Sequence, residues 1–161
     1  MQRKAVRGGL WLLLALTLGF IWGNSLLPVH TSLEISGSSA HLLELFLDVS
    51  SPFGRFVIEN VRKIAHFAEF TLLGIEIYLL HCGGRRSLRG SVWVLSAGLW
   101  VAVADEALQL LSQRGPQIGD VLLDVGGVLH GVLWTLAVLS LIGCIRKRRA
   151  AKAAAAQDTG V

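Results

Sequence analysis

Four stretches, at about residues 10–29, 64–80, 92–111 and 121–145, are apolar over nearly the length that an α-helix needs to cross a bilayer. That length is ~20 residues for ~30 Å of hydrocarbon. Ionisable side chains break into three of these stretches. His66 and Glu69 interrupt the second, Asp105 and Glu106 the third, and Asp120 and Asp124 open the fourth. A charge in hydrocarbon is expensive, so such residues face a bundle interior or a wet cavity and mark function. The expected fold is an all-α membrane protein, a four-transmembrane-helix bundle. Composition agrees, because 53% of the 161 residues are hydrophobic, above the ~45–50% apolar share of soluble domains. The length suits one compact unit over residues 1–145, followed by a basic and Ala-rich tail over 146–161.

A net charge of +4 would suit nucleic acid, but its distribution suits a membrane. Arg3, Lys4 and Arg7 precede the first stretch, and Arg85, Arg86 and Arg89 fill the turn between the second and third. Arg146, Lys147, Arg148, Arg149 and Lys152 follow the fourth. With four crossings these clusters share one side, which the positive-inside rule makes the cytoplasm. The opposite loops are leaner: residues 30–61 hold only Arg55, and 112–119 only Arg114. Both termini are therefore expected in the cytoplasm. The clusters are short, juxtamembrane and free of interleaved aromatics, which excludes a nucleic-acid surface. The first stretch reads as a span and not as a cleaved signal, because its apolar run is long and no A-x-A site follows it. Cys82 and Cys144 both fall at cytoplasmic helix ends, a reducing place, and are expected unpaired.

In the outer loop, a Ser/Gly-rich stretch at 36–39 precedes a short amphipathic pattern. Leu42, Leu45, Phe46 and Val49 share one face, with His41, Glu44 and Asp48 on the other. The spacing predicts a short helix lying at the outer interface. Ser51-Pro52 reads as an N-cap followed by proline at the first helical position, with a helix running on through Phe56 and Ile58 into the second span. The last ten residues are expected to be disordered. Close helix packing in lipid favours small residues, which the first span offers at Ala15, Gly19 and Gly23, and the fourth at Gly126, Gly127 and Gly131.

The ionisable residues can be placed by depth. Lys63, His66 and Glu69 recur every three residues near one face of the second helix, with Glu76 a heptad deeper. Asp105, Glu106 and Gln109 come late in the third helix, and Asp120 and Asp124 early in the fourth. At ~1.5 Å per residue, all three groups but Glu76 fall roughly 5–16 Å outside the midplane. Three separate segments thus put their charges in one layer. Each residue also has a plainer role open to it. Lys63 can snorkel to headgroups, Asp120 can cap its helix, and Lys63 and Arg114 can balance the carboxylates in a purely structural ion network.

The spacing Lys63-x-x-His66-Phe67-x-Glu69-Phe70-x-x-Leu73-Gly74 resembles the second-helix motif of the VanZ-like family of integral membrane proteins. Asp105-Glu106-x-x-Gln109 resembles its third-helix motif. Arg114 followed by Asp120, Gly127 and Gly131 resembles its turn and fourth helix. Two positions depart from the family pattern: Phe70 stands where a tyrosine is common, and Asp124 where an asparagine is common. The resemblance implies a multi-pass protein of the bacterial cytoplasmic membrane, with a namesake associated with resistance to teicoplanin-type glycopeptides. It supplies no reaction.

Three functions remain open on these residues. The first is an outward-facing polar site, built from Lys63, His66, Glu69, Asp105, Glu106, Gln109, Arg114, Asp120 and Asp124. Its ligand would be an envelope lipid headgroup, a cell-wall precursor or a glycopeptide antibiotic. The second is a membrane enzyme, acting on a lipid-linked substrate through a metal or a His66 base. The sequence has no His-Glu-x-x-His or Gly-x-Ser-x-Gly motif to support it. The third is a proton- or ion-coupled transporter, which in so short a chain would need a homo-oligomer. No cofactor is evident, and a divalent metal is the one that these side chains would suit.

Overall fold

A computed structural model describes residues 2–112 and 117–158. Among them are six helices: α1 (Gln2–Leu26), α2 (Val29–Glu44), α3 (Pro52–Glu59), α4 (Val61–Cys82), α5 (Leu88–Leu111) and α6 (Ile118–Asp158). Four of these, α1, α4, α5 and α6, are long and apolar enough to cross a membrane. They correspond to the four stretches of the sequence. Large apolar side chains such as Trp11, Phe20, Trp100, Leu129 and Trp134 stand exposed around the bundle. A water-soluble surface does not tolerate so extensive an apolar exterior, whereas a lipid-facing one requires it.

Helix ends follow local chemistry. Pro28 lacks an amide donor and disfavours helical geometry at Leu27, so α1 stops at Leu26 and α2 starts at once. The outer-loop helix is present but begins earlier than its amphipathic pattern suggested. It runs through the Ser/Gly stretch and ends at Glu44, leaving Leu45 and Phe46 in the turn beyond. Ser51 caps α3 as expected, its Oγ accepting from the Gly54 amide at 3.0 Å with Pro52 in the first turn. The helix then breaks at Asn60, whose side-chain amide donates to the Phe56 carbonyl at 2.9 Å. That bond competes with backbone continuation, so α3 does not run unbroken into α4. The tail also differs from expectation, because α6 continues to Asp158. Alanine is the strongest helix former, and the Ala-rich run extends the helix.

The tightest pairing is α4 against α6. A Cβ placed on Gly127 would stand 2.7 Å from the Phe67 carbonyl oxygen, and one on Gly131 would collide with the Thr71 carbonyl. Gly74 on α4 meets the Val128 backbone of α6 in the same way, at 2.6 Å. The fourth-span glycines therefore do what small residues do in lipid, bringing two backbones together. The first-span stripe does not. A Cβ on Gly19 or Gly23 would have nothing beyond its own helix within 4 Å among the described residues, and Ala15 is exposed. It is the neighbouring stripe Thr17, Ile21 and Ser25 that is buried. Four-residue spacing holds for both stripes, and only the packing partner distinguishes them. Ile21, Phe70, Leu73, Tyr78, Val94, Val128 and Val132 form the apolar centre. Cys82 and Cys144 are unpaired, as expected.

Candidate functional site

Above the apolar centre, at the bundle end that carries α2 and α3, the helices α4, α5 and α6 enclose a polar cleft. Arg62, Lys63, His66, Gln109, Asp120, Leu123 and Asp124 line it. The three-residue spacing of Lys63 and His66 puts them on adjoining turns of α4, and the four-residue spacing of Asp120 and Asp124 does the same on α6. The cavity volume is about 10 Å³, room for about one water-sized group.

Behind the lining stands a buried acidic layer. Asp105 is fully buried, and its carboxylate accepts from Ser25 Oγ of α1 at 2.6 Å and from Gln109 Nε2 at 3.0 Å. Asp124 is 2% exposed, and its Oδ1 faces His66 Nδ1 at 3.9 Å. Glu106 accepts from the Gln117 backbone amide, which ties the end of α5 to the start of α6. Glu69 lies within Coulombic reach of both Asp105 and Asp124. Three carboxylate oxygens here, Glu69 Oε2, Glu106 Oε2 and Asp124 Oδ1, are buried without a hydrogen-bond donor among the described residues. A donor-free buried carboxylate oxygen is costly.

Of the residues singled out in the sequence, Lys63, His66, Gln109, Asp120 and Asp124 share the cleft, while Glu69, Asp105 and Glu106 back it. Arg114 lies outside the described residues. Glu76 stands apart, 1% exposed and accepting from Thr17 Oγ1 of α1 at 2.9 Å. Sequence reasoning missed Ser25 and Thr17. Their signal was a hydroxyl on each of two turns of an otherwise apolar span, a pattern that hydrogen-bonds across helices in membranes. Nor was Arg62 singled out, although it lines the cleft and reaches Glu106 electrostatically.

Residues 10–140, a span that includes every charge of this layer, match the family model described as VanZ/LLP1. The chain belongs to the VanZ/LLP1 family. No curated protein and no solved structure matches it. Of the motif residues that resembled the VanZ-like pattern, Lys63, His66, Gln109 and Asp120 meet at the cleft of this VanZ/LLP1 bundle, whereas Leu73, Gly74, Gly127 and Gly131 pack in its middle. Its two departures occupy different places. Phe70 is fully buried against Gly127 in the apolar centre, so the missing hydroxyl leaves no gap in the cleft. Asp124 sits in the cleft itself and adds a carboxylate there.

Proposed function

We propose that this VanZ/LLP1 protein uses the cleft as an outward-facing site for the phosphate-bearing headgroup of an envelope lipid or lipid-linked cell-wall precursor. The protein would lie in the bacterial cytoplasmic membrane with both termini cytoplasmic, as its basic clusters favour. The observation that carries the reading is the rim: Arg62 and Lys63 stand on the first turn of α4, directly over His66, in one lined opening. Guanidinium and ammonium groups are the side chains that pair with phosphate. The cleft's small volume limits entry to one functional group. A glycopeptide antibiotic would therefore meet only the rim, and resistance would follow from engagement of the envelope component.

Native mass spectrometry of detergent-purified protein tests the reading, with short-chain phosphatidylglycerol and phosphatidylethanolamine against neutral diacylglycerol. The phospholipids should be retained in preference, and the double variant Arg62→Ala/Lys63→Ala should lose that preference. Equal retention of diacylglycerol would refute it. Orientation has its own test. A cysteine placed at exposed Ser38 should react with a membrane-impermeant reagent added from outside the cell, and labelling only from the cytoplasmic side would reverse the topology.

A second reading, a metal-dependent membrane enzyme acting on a lipid-linked substrate, is favoured by the grouping of His66, Asp105 and Asp124. It would require turnover of the bound headgroup and not retention alone.

A further inference from the structure

We propose that His66, Asp105 and Asp124 bind a divalent metal ion, zinc or manganese, at the floor of the cleft. Each comes from a different helix, α4, α5 and α6, and one donor atom of each lies within 4.8 Å of the others. An ion at ~2.0–2.2 Å from every donor would leave them roughly 3–4 Å apart, so a small contraction completes the set. The His66 Nδ1 to Asp124 Oδ1 separation of 3.9 Å already falls in that interval. It is also too long for a hydrogen bond.

The second observation is Asp124 itself. It is 2% exposed, lines the cleft, and its Oδ1 has no hydrogen-bond donor among the described residues. A buried carboxylate oxygen aimed at an imidazole nitrogen, with no donor of its own, is what a ligand presents before its ion arrives. Asp105 adds a third. Both of its oxygens are already oriented, by Ser25 and Gln109, and each oxygen keeps a lone pair for a further partner. Outer-shell hydrogen bonds of this kind fix the ligands of metal sites.

One imidazole and two carboxylates form a borderline-to-hard donor set, which suits zinc or manganese better than thiophilic ions. A dication would also neutralise the two ligating carboxylates and offset the cost of burying them. Its remaining positions would face the cleft toward Arg62 and Lys63. With the ion present, a floor that repels phosphate would attract it. The metal site thus deepens the headgroup reading but does not depend on it.

The test uses the full chain in detergent, purified through a tag without histidines, loaded with zinc or manganese and dialysed. Elemental analysis should find about one ion per chain, falling at least tenfold in Asp124→Asn and in His66→Ala. Ser25→Ala should bind about tenfold more weakly, because the outer shell orients Asp105. Metal should raise the melting temperature of wild type, reversibly with EDTA, and leave that of Asp124→Asn unchanged. If His66→Ala does not fold, the near-isosteric Asp124→Asn decides. Monodisperse wild type that retains under about a tenth of an ion with either metal overturns the site, and so does undiminished binding by Asp124→Asn. Arg62→Ala/Lys63→Ala should keep its metal while losing headgroup preference, so either proposal can fail without the other.

Discussion

At one end of the bundle Asp105 and Asp124 are buried beneath groups supplied by other helices, Ser25 from α1 and His66 from α4. At the other end Arg85 and Arg86 stand exposed in a short turn, with Arg89 exposed in the first turn of α5. That turn is closed by local chemistry. Gly83 and Gly84 adopt left-handed φ values of 57° and 75°, which only glycine does without strain. Tyr78 Oη then donates to the Arg85 carbonyl and accepts from the Ser87 amide. Ser87 caps α5 through the Gly90 amide. The basic end is thus assembled from neighbours in sequence and its charges remain solvated. The acidic end is assembled across as many as 80 residues of chain, and its Asp105 and Asp124 have almost no solvent to fall back on. Burial makes the acidic charges depend on their partners, and exposure frees the basic ones from theirs.

Substitutions should separate the two ends by the size of their effect. The largest belongs to the seam that holds the acidic layer together. Gly131→Leu would drive a side chain into the Thr71 carbonyl, costing on the order of 3 kcal/mol. Gly19→Leu, with nothing within 4 Å, should stay within about 0.5 kcal/mol. Chemical denaturation in mixed micelles measures both, and equal costs would mean that the seam does not govern stability.

Ser25→Ala comes next. It leaves fully buried Asp105 with one donor fewer, a loss of about 1–3 kcal/mol, read from the same denaturation curves. Tyr78→Phe at the basic end removes a hydroxyl that serves two backbone groups of one turn, and should cost about 1 kcal/mol. Its effect should fall on protease sensitivity of residues 83–90 before it appears in global unfolding. The smallest effect is expected of Arg86→Ala. Arg86 donates to Ser140 Oγ at 3.2 Å in an exposed setting, and its removal should shift stability by under about 0.5 kcal/mol. If Arg86→Ala proved as costly as Ser25→Ala, the contrast between the two ends would collapse.

Much of this was legible in the chain itself. The four spans were read from apolar run length, and the Ser51-Pro52 start of α3 from capping chemistry, which acts over three residues. The common level of His66, Asp105 and Asp124 followed from rise per residue along alternating helices. Other features were not legible because they depend on rotation about a helix axis. The Gly19/Gly23 and Gly127/Gly131 pairs have the same spacing, yet only the second pair meets another backbone. Nothing within α1 reveals which of its stripes faces inward. Ser25 was missed for the same reason, since a serine in an apolar span gains meaning only from the carboxylate opposite it.

By itself the sequence determined the four long apolar helices, the Ser51-Pro52 start of α3, and the level along each helix at which charge enters the apolar stretches. These are properties of segments, set by transfer free energy and local hydrogen bonding. Tertiary structure decided which charges meet. It set Glu76 apart with Thr17, joined Asp105 to Ser25, and turned Asp124 toward His66 across the cleft. The physical reason is that a helix conveys depth through its rise but conveys direction only through what it packs against.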